Sequence, residues 1–112
     1  DMILKYDDIP LVHLPAFKGG EKELAANMFF DGTNRIFRGR LVPGASIGVH
    51  THEDSCEVIN VVSGTGVLLE EGMEHEVTAG DCLYCPKGGT HSLRNPSDAQ
   101  EDLVFLATVC QC

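Results

Sequence analysis

The sequence predicts an all-β domain of the jelly-roll type, and three observations lead there. Turn signals recur at short intervals from residue 35 onward, at Pro43-Gly44, Gly64-Thr65-Gly66, Glu71-Gly72, Ala79-Gly80-Asp81, Lys87-Gly88-Gly89 and Asn95-Pro96. The runs between them are short and rich in Val, Ile, Leu and Tyr, as strands are. The 112 residues suffice for one compact core and not for two. The expected strands are Ile36–Val42, Ser46–His52, Cys56–Ser63, Gly66–Glu70, Glu74–Thr78, Cys82–Cys85, His91–Asn95 and Leu103–Val109. Eight strands suit a jelly roll.

Residues 1–34 are expected to form an N-terminal arm or edge segment, and residues 35–112 a single barrel. MILKY is a short apolar strand candidate. Pro10 and Pro15 flank Leu11–Leu14 and restrict that run to an edge, because proline cannot donate to a ladder. His13 lies there with nothing beside it to complete a ligand set. Lys22–Phe30 has a periodicity that suits either a helical turn or a strand, with strand preferred. In the barrel, Pro43-Gly44 fits the central positions of a type II turn, proline presetting the first and glycine supplying positive φ at the second. Gly44 thereby aims the strand that follows. Gly64 and Gly66 flank a tight hairpin, and no helix N-terminus follows them to cradle a phosphate. Cys56–Val62 is apolar on both faces except at Asn60. One face would line the barrel, and the other must be covered by the arm or by a second subunit.

Charge and composition narrow the classes of function. A net charge of −9, from 17 acids against 8 bases, lacks the clustered Lys and Arg that a nucleic-acid face requires. No apolar run approaches the roughly 18 residues of a membrane span. DMILKYDDIP has no basic segment followed by a long apolar core, so a secretory signal is not expected. Together with five cysteines, an odd count best read as reduced thiols, this gives an expectation of cytoplasmic location. Cys82 and Cys85 are three apart in a strand and face opposite sides, so they are poorly placed to share one metal. Cys56, Cys82 and Cys85 are expected to act as small buried hydrophobes.

Chemistry concentrates in two stretches. In GASIGVHTHEDSCEVINVVSG, His50 and His52 flank Thr51; on a strand both imidazoles point the same way from backbone positions about 6–7 Å apart. That makes a chelating pair, and a chain turning back through Asp54-Ser55 brings Glu57 beside it. In GDCLYCPKGGTHSLRN, a glycine-rich loop delivers His91 at the start of a strand. The spacing in the first stretch is Gly44, five residues, His50, one, His52, four, Glu57, six, Gly64. In the second it is Gly80, five, Pro86, one, Gly88, two, His91, three, Asn95, with fifteen residues between the stretches.

These ten positions resemble the two sequence motifs of the cupin superfamily, and the chain is similar to small single-domain (cupin type 2) proteins that look like the oxalate-decarboxylase-like bacterial cupins. The resemblance implies a double-stranded β-helix, or jelly-roll, cupin barrel holding one divalent transition metal per chain through His50, His52, Glu57 and His91. Three imidazoles and one carboxylate suit manganese or iron first, and nickel, zinc or copper as well, and leave positions open for water, substrate or dioxygen. Asn95 is expected to secure backbone instead of touching metal. Glu53, Asp54, Glu70, Glu71, Glu74, His75 and Glu76 are read as a solvated rim.

The family contains decarboxylases, dioxygenases, isomerases, epimerases and non-catalytic proteins, so the ligand set does not choose among them. The first expectation is an enzyme acting on a small carboxylate or oxygen-rich metabolite by decarboxylation or dioxygen chemistry. The alternatives are a non-catalytic small-molecule binding or sensing protein and a metal-dependent sugar isomerase or epimerase. Arg38 and Arg40 share a face of the strand before the first motif; they are the candidates to turn inward and hold a substrate carboxylate, the other reading being exposed strand arginines. The expected partners are a small-molecule substrate and a second copy of the chain in a homodimer, with neither nucleic acid nor membrane.

Overall fold

The computed structural model describes residues 1–112. Its strands are β1 (Leu11–Pro15), β2 (Glu23–Phe30), β3 (Arg35–Leu41), β4 (Ser46–Thr51), β5 (Ser55–Ser63), β6 (Thr65–Glu70), β7 (Met73–Thr78), β8 (Cys82–Cys85), β9 (Thr90–Arg94) and β10 (Leu103–Gln111). The only helical pieces are single 3-10 turns at Tyr6–Asp8 and Phe17–Gly19. All eight strands expected after residue 35 are present, and two precede them. They form an all-antiparallel jelly roll of two sheets, one in the order β1-β2-β3-β10-β5-β8 and the other β4-β9-β6-β7. No helix is long and apolar enough to cross a membrane.

Side-chain alternation builds the core between the sheets. Phe37 and Leu41 on β3, Ile59 and Val61 on β5, and Phe105 and Ala107 on β10 face inward from the larger sheet; Ile47, Leu68, Val77 and Leu93 meet them from the smaller one. Phe105 is fully buried and packs edge-on to Phe37, with centroids 6.1 Å apart. It also lies over Gly39, where an added Cβ would sit 2.4 Å from the ring. Burying a ring of this size contributes about 1.5–3 kcal/mol, so Gly39 is glycine because Phe105 occupies the space a side chain would need.

The first thirty-four residues divide differently from the expected arm. β1 is an edge strand, as its flanking prolines require. β2, however, pairs with β3 along Ala25–Phe30, and its Leu24 and Ala26 are fully buried in the common core. The arm therefore ends before β2, because that run pairs with β3 and turns Leu24 and Ala26 to the inner face. Nor does the arm cover the outer face of β5. β1 and β2 extend the sheet past β3 instead, leaving Val62 51% and Tyr84 59% exposed.

Turn chemistry follows the sequence closely. The Ala45 N–H donates to the Val42 carbonyl across Pro43-Gly44, and Gly44 has φ +86°, as a type II turn demands. Asn95 is buried, and its Nδ2 donates to the carbonyls of Leu41 and Glu101, each at 3.0 Å. Its expected role in holding backbone is the one observed. Cys82 is exposed while Cys85 is buried: opposite faces as expected, but Cys82 is not the expected buried hydrophobe, because the outer face of β8 is open.

Candidate metal centre

The histidine strand departs from regular alternation in a way that decides the site. Ile47 pairs with Leu93 but His50 pairs with His91, with a register shift between, so two residues of β4 oppose one of β9. Such a bulge moves the following side chain to the other face. Without it, Ile47 and His50, three apart, would point to opposite sides; with it both line one cavity, and Val49 turns out to solvent. The bulged residue Gly48 has no room for a side chain, since a Cβ would lie 2.0 Å from the Lys18 carbonyl oxygen. The 3-10 turn at Phe17–Gly19 is seated on β4 at this point.

The four expected ligands come from both sheets. His50 lies near the end of β4 and His52 just past it, His91 on β9 beside them, and Glu57 on β5 of the larger sheet. Their ligand atoms all lie within 4.8 Å of one another. The Nε2 atoms of His52 and His91 are 3.0 Å apart, and that of His50 is 3.2 Å from each. Glu57 Oε1 is 3.1 Å from His52 Nε2 and 3.0 Å from His91 Nε2. Glu57 and His91 are 5% exposed, and His52 is 9% exposed.

These distances fit a metal ion better than they fit hydrogen bonds. Two tautomers are set from outside: His50 Nδ1 lies 2.8 Å from the Gly48 carbonyl and His52 Nδ1 lies 2.8 Å from Ser55 Oγ. A carbonyl can only accept, so His50 carries its proton on Nδ1 and presents a bare Nε2 lone pair to the cluster; the Ser55 contact suits the same tautomer for His52. Lone pairs facing one another at about 3 Å repel unless a cation stands between them. Neighbouring ligands held about 2.1 Å from one octahedral ion are about 3.0 Å apart, the spacing seen here. Gly48 and Ser55 are then the outer groups that orient the ligands, as second partners of ligating histidines commonly do.

Electrostatics point the same way. Burial lowers the pKa of His50, keeping it neutral and free to ligate. Burial alone would raise that of Glu57, but in the metal-free protein ring N–H groups of His52 and His91 turned toward it outweigh burial and draw the carboxyl down to about 2. Glu57 is therefore an anion in the cluster. Cys85, paired across the ladder with Glu57, is pushed up to about 11 by burial and then by that negative charge, so it stays a thiol and offers no thiolate to a metal.

The cluster forms the polar end of a cavity of about 320 Å³. Phe37, Ile47, Ile59, Leu93 and Val109 wall it, together with Phe17, Lys18, Met28 and Arg35 from the earlier part of the chain. Those last four were not singled out from the sequence. Glu53 and Asp54, read as rim residues, do lie at its edge.

Arg38 and Arg40 are a correction. On β3 the inward positions are Arg35, Phe37, Gly39 and Leu41, so both arginines face away from the cavity. Arg38 Nη2 donates to Asp7 at 2.7 Å and its Nε to Asn27 Oδ1 at 3.2 Å, while Arg40 Nη1 donates to Asp102 at 2.9 Å. They share a face as expected, but it is the outer one, because the apolar Phe37 and Leu41 take the core side. His13 pairs with Glu23 on the surface, away from any ligand set.

Comparison with known proteins agrees with this geometry. The Cupin domain family matches residues 37–109. The chain is 30% identical over 114 aligned residues to an oxalate-binding protein of Thermotoga maritima, covering 96% of this chain and 93% of that one. It is also 30% identical to Protein SchB of Streptomyces halstedii, covering 92% and 74%. A crystal structure of a predicted oxalate decarboxylase from Thermotoga maritima superposes with a TM-score of 0.90 at 27% identity, covering 99% of this chain and all of that one. With two antiparallel sheets, three histidines and a glutamate converging between them, and this match over most of its length, the chain belongs to the cupin family.

Proposed function

We propose that this cupin is a metal-dependent enzyme acting on a small carboxylate or oxygen-rich metabolite, by decarboxylation or dioxygen chemistry. The observation that carries the reading is the convergence of the three histidines and Glu57 in an open cavity walled in part by apolar side chains. Four protein donors leave room in an octahedral shell for a substrate that enters from the cavity. His50, His52, Glu57 and His91 would hold one divalent ion, with manganese or iron preferred by the mixed nitrogen and oxygen set. That ion would supply Lewis acidity or a path for electrons. Burial of Glu57 and His91 lowers the local dielectric and strengthens charge interactions at the site. The oxalate-related names of a similar sequence and of a similar solved structure, both from Thermotoga maritima, support a carboxylate as the ligand class.

A second reading, binding without turnover, is supported by the cavity's interior. Beyond the four ligands its lining offers no further histidine, and its other carboxylates, Glu53 and Asp54, sit at the mouth. Oxygen uptake and carbon dioxide release by the manganese- and iron-loaded protein, across a panel of small acids, separates the two. Turnover of any one acid establishes the enzyme, and binding without turnover across the panel establishes the alternative. The apolar outer face of β5 and β8 supports a homodimer, and five free thiols support a reducing, cytoplasmic setting.

A further inference from the structure

We propose that Arg35 anchors a carboxylate of the ligand, and that the ligand is therefore an acid whose anionic head is separated by an apolar body from the oxygens that meet the metal. The proposal rests on the metal reading above and specifies its substrate class.

Arg35 opens β3 on the inward face. It pairs across the ladder with Val109 of β10, and Val109 pairs with Glu57 of β5. Two strand spacings place the Cα atoms of Arg35 and Glu57 about 10 Å apart in one row, with both residues lining the same cavity. Val109 stands between them in that row, and Met28, Phe37, Ile47, Ile59 and Leu93 line the same cavity. The cavity thus carries Glu57 of the ligand cluster and a guanidinium on one sheet row, with the apolar Val109 between their strands.

What sets Arg35 apart is its lack of a counter-ion. Arg38, Arg40 and Arg94 each form an ion pair with a carboxylate, whereas Arg35 forms none. In a chain with 17 acids for 8 bases, an arginine without an acid is the exception. Its guanidinium carbon lies 4.2 Å from the centroid of the Phe30 ring, and Nη1 lies 3.8 Å from the Met28 sulfur. Stacking on an aromatic face and a thioether fixes the group's plane while leaving most of its donors unused. A planar fork so held is suited to bidentate carboxylate recognition. Lys18, at the same mouth, also has no carboxylate partner and stands 5.5 Å from the Phe17 ring. Glu53 and Asp54 line the cavity without pairing to either cation. Oxalate, two carboxylates joined directly, has no apolar portion to lay on these walls.

The test is calorimetric titration of the manganese-loaded protein with three probes: α-ketoadipate, which has a chelating end, an apolar spacer and a distal carboxylate; α-ketocaproate, the same chain without that carboxylate; and oxalate. Wild type is expected to bind α-ketoadipate about tenfold or more tightly than α-ketocaproate, as one charge-assisted contact provides. Arg35→Met, which keeps the apolar stem, removes that preference while leaving α-ketocaproate binding unchanged, and Arg35→Lys retains part of it. Equal binding of the two keto acids by wild type, or a preference that survives Arg35→Met, overturns the proposal and leaves the metal site standing. Absence of bound manganese by elemental analysis, with no binding of any probe, overturns the metal reading and this proposal with it.

Discussion

Two parts of the chain build the cavity by different physical means. Residues 44–95 supply the ligands, fixed by ladder pairing, a bulge and hydrogen bonds to Gly48 and Ser55. Residues 17–35 supply Phe17, Lys18, Met28 and Arg35, side chains that shape the wall without joining the cluster. The ligands of the first part are largely buried and polar, whereas the second part is more exposed and combines two apolar side chains with two cations. Metal affinity should therefore depend on the first part almost alone, and ligand choice on the second.

The largest effect should come from the first part. His52→Ala removes a ligand and is expected to abolish tight metal binding, well beyond the roughly 10–100-fold loss that Ser55→Ala should cause by freeing the same imidazole from its outer partner. Competition with a metal-sensing dye measures both; equal affinities for wild type and His52→Ala would remove that residue from the site.

A smaller effect should expose the seam between the two parts. Gly48→Ala forces a Cβ to within 2.0 Å of the Lys18 carbonyl oxygen, so the 3-10 turn at Phe17–Gly19 must move off β4. A loss of about 1–3 kcal/mol is expected in denaturant unfolding of the metal-free protein. If the turn absorbs the strain, metal stoichiometry stays at one while ligand affinity changes. Loss of the metal as well would show that the two parts are not separable.

The smallest and most graded effect is with pH. The pKa of His50 is lowered on folding, so the unfolded chain takes up that proton first, and stability of the metal-free protein should begin to fall as pH drops below about 6.5. Glu57 is lowered from 4.5 to about 2, so its contribution is full above 4.5 and is lost on further acidification toward 2. Melting temperature followed across this range should decline in those two stages. With metal bound, protons and the ion compete for the same imidazoles, so the decline should coincide with metal release.

The sequence made the first part legible and the second largely not, for reasons visible in particular residues. His50, His52, Glu57 and His91 lie at fixed spacings because ladder geometry dictates them, and glycine and proline mark the turns that aim them. The bulge at Gly48 was not legible, since regular alternation from Ser46 also puts the two histidines on one face; only Ile47 reveals the switch. Arg38 and Arg40 shared a face, but parity alone does not tell inner from outer, and the weight of Phe37 and Leu41 on the alternate positions was the available signal. Phe17 and Lys18 reach the cavity through left-handed backbone at Ala16 and Lys18, for which neither residue type gives a cue. β2 was open between helix and strand because its apolar residues run nearly without interruption.

Elemental analysis of protein purified without chelator or a metal-affinity column tests the central claim most directly. About one transition metal per chain in the wild type, and none in a variant carrying both His52→Ala and His91→Ala, is the predicted result. A metal-free wild type that binds and processes its ligand fully, or a double variant that keeps its metal, would contradict it.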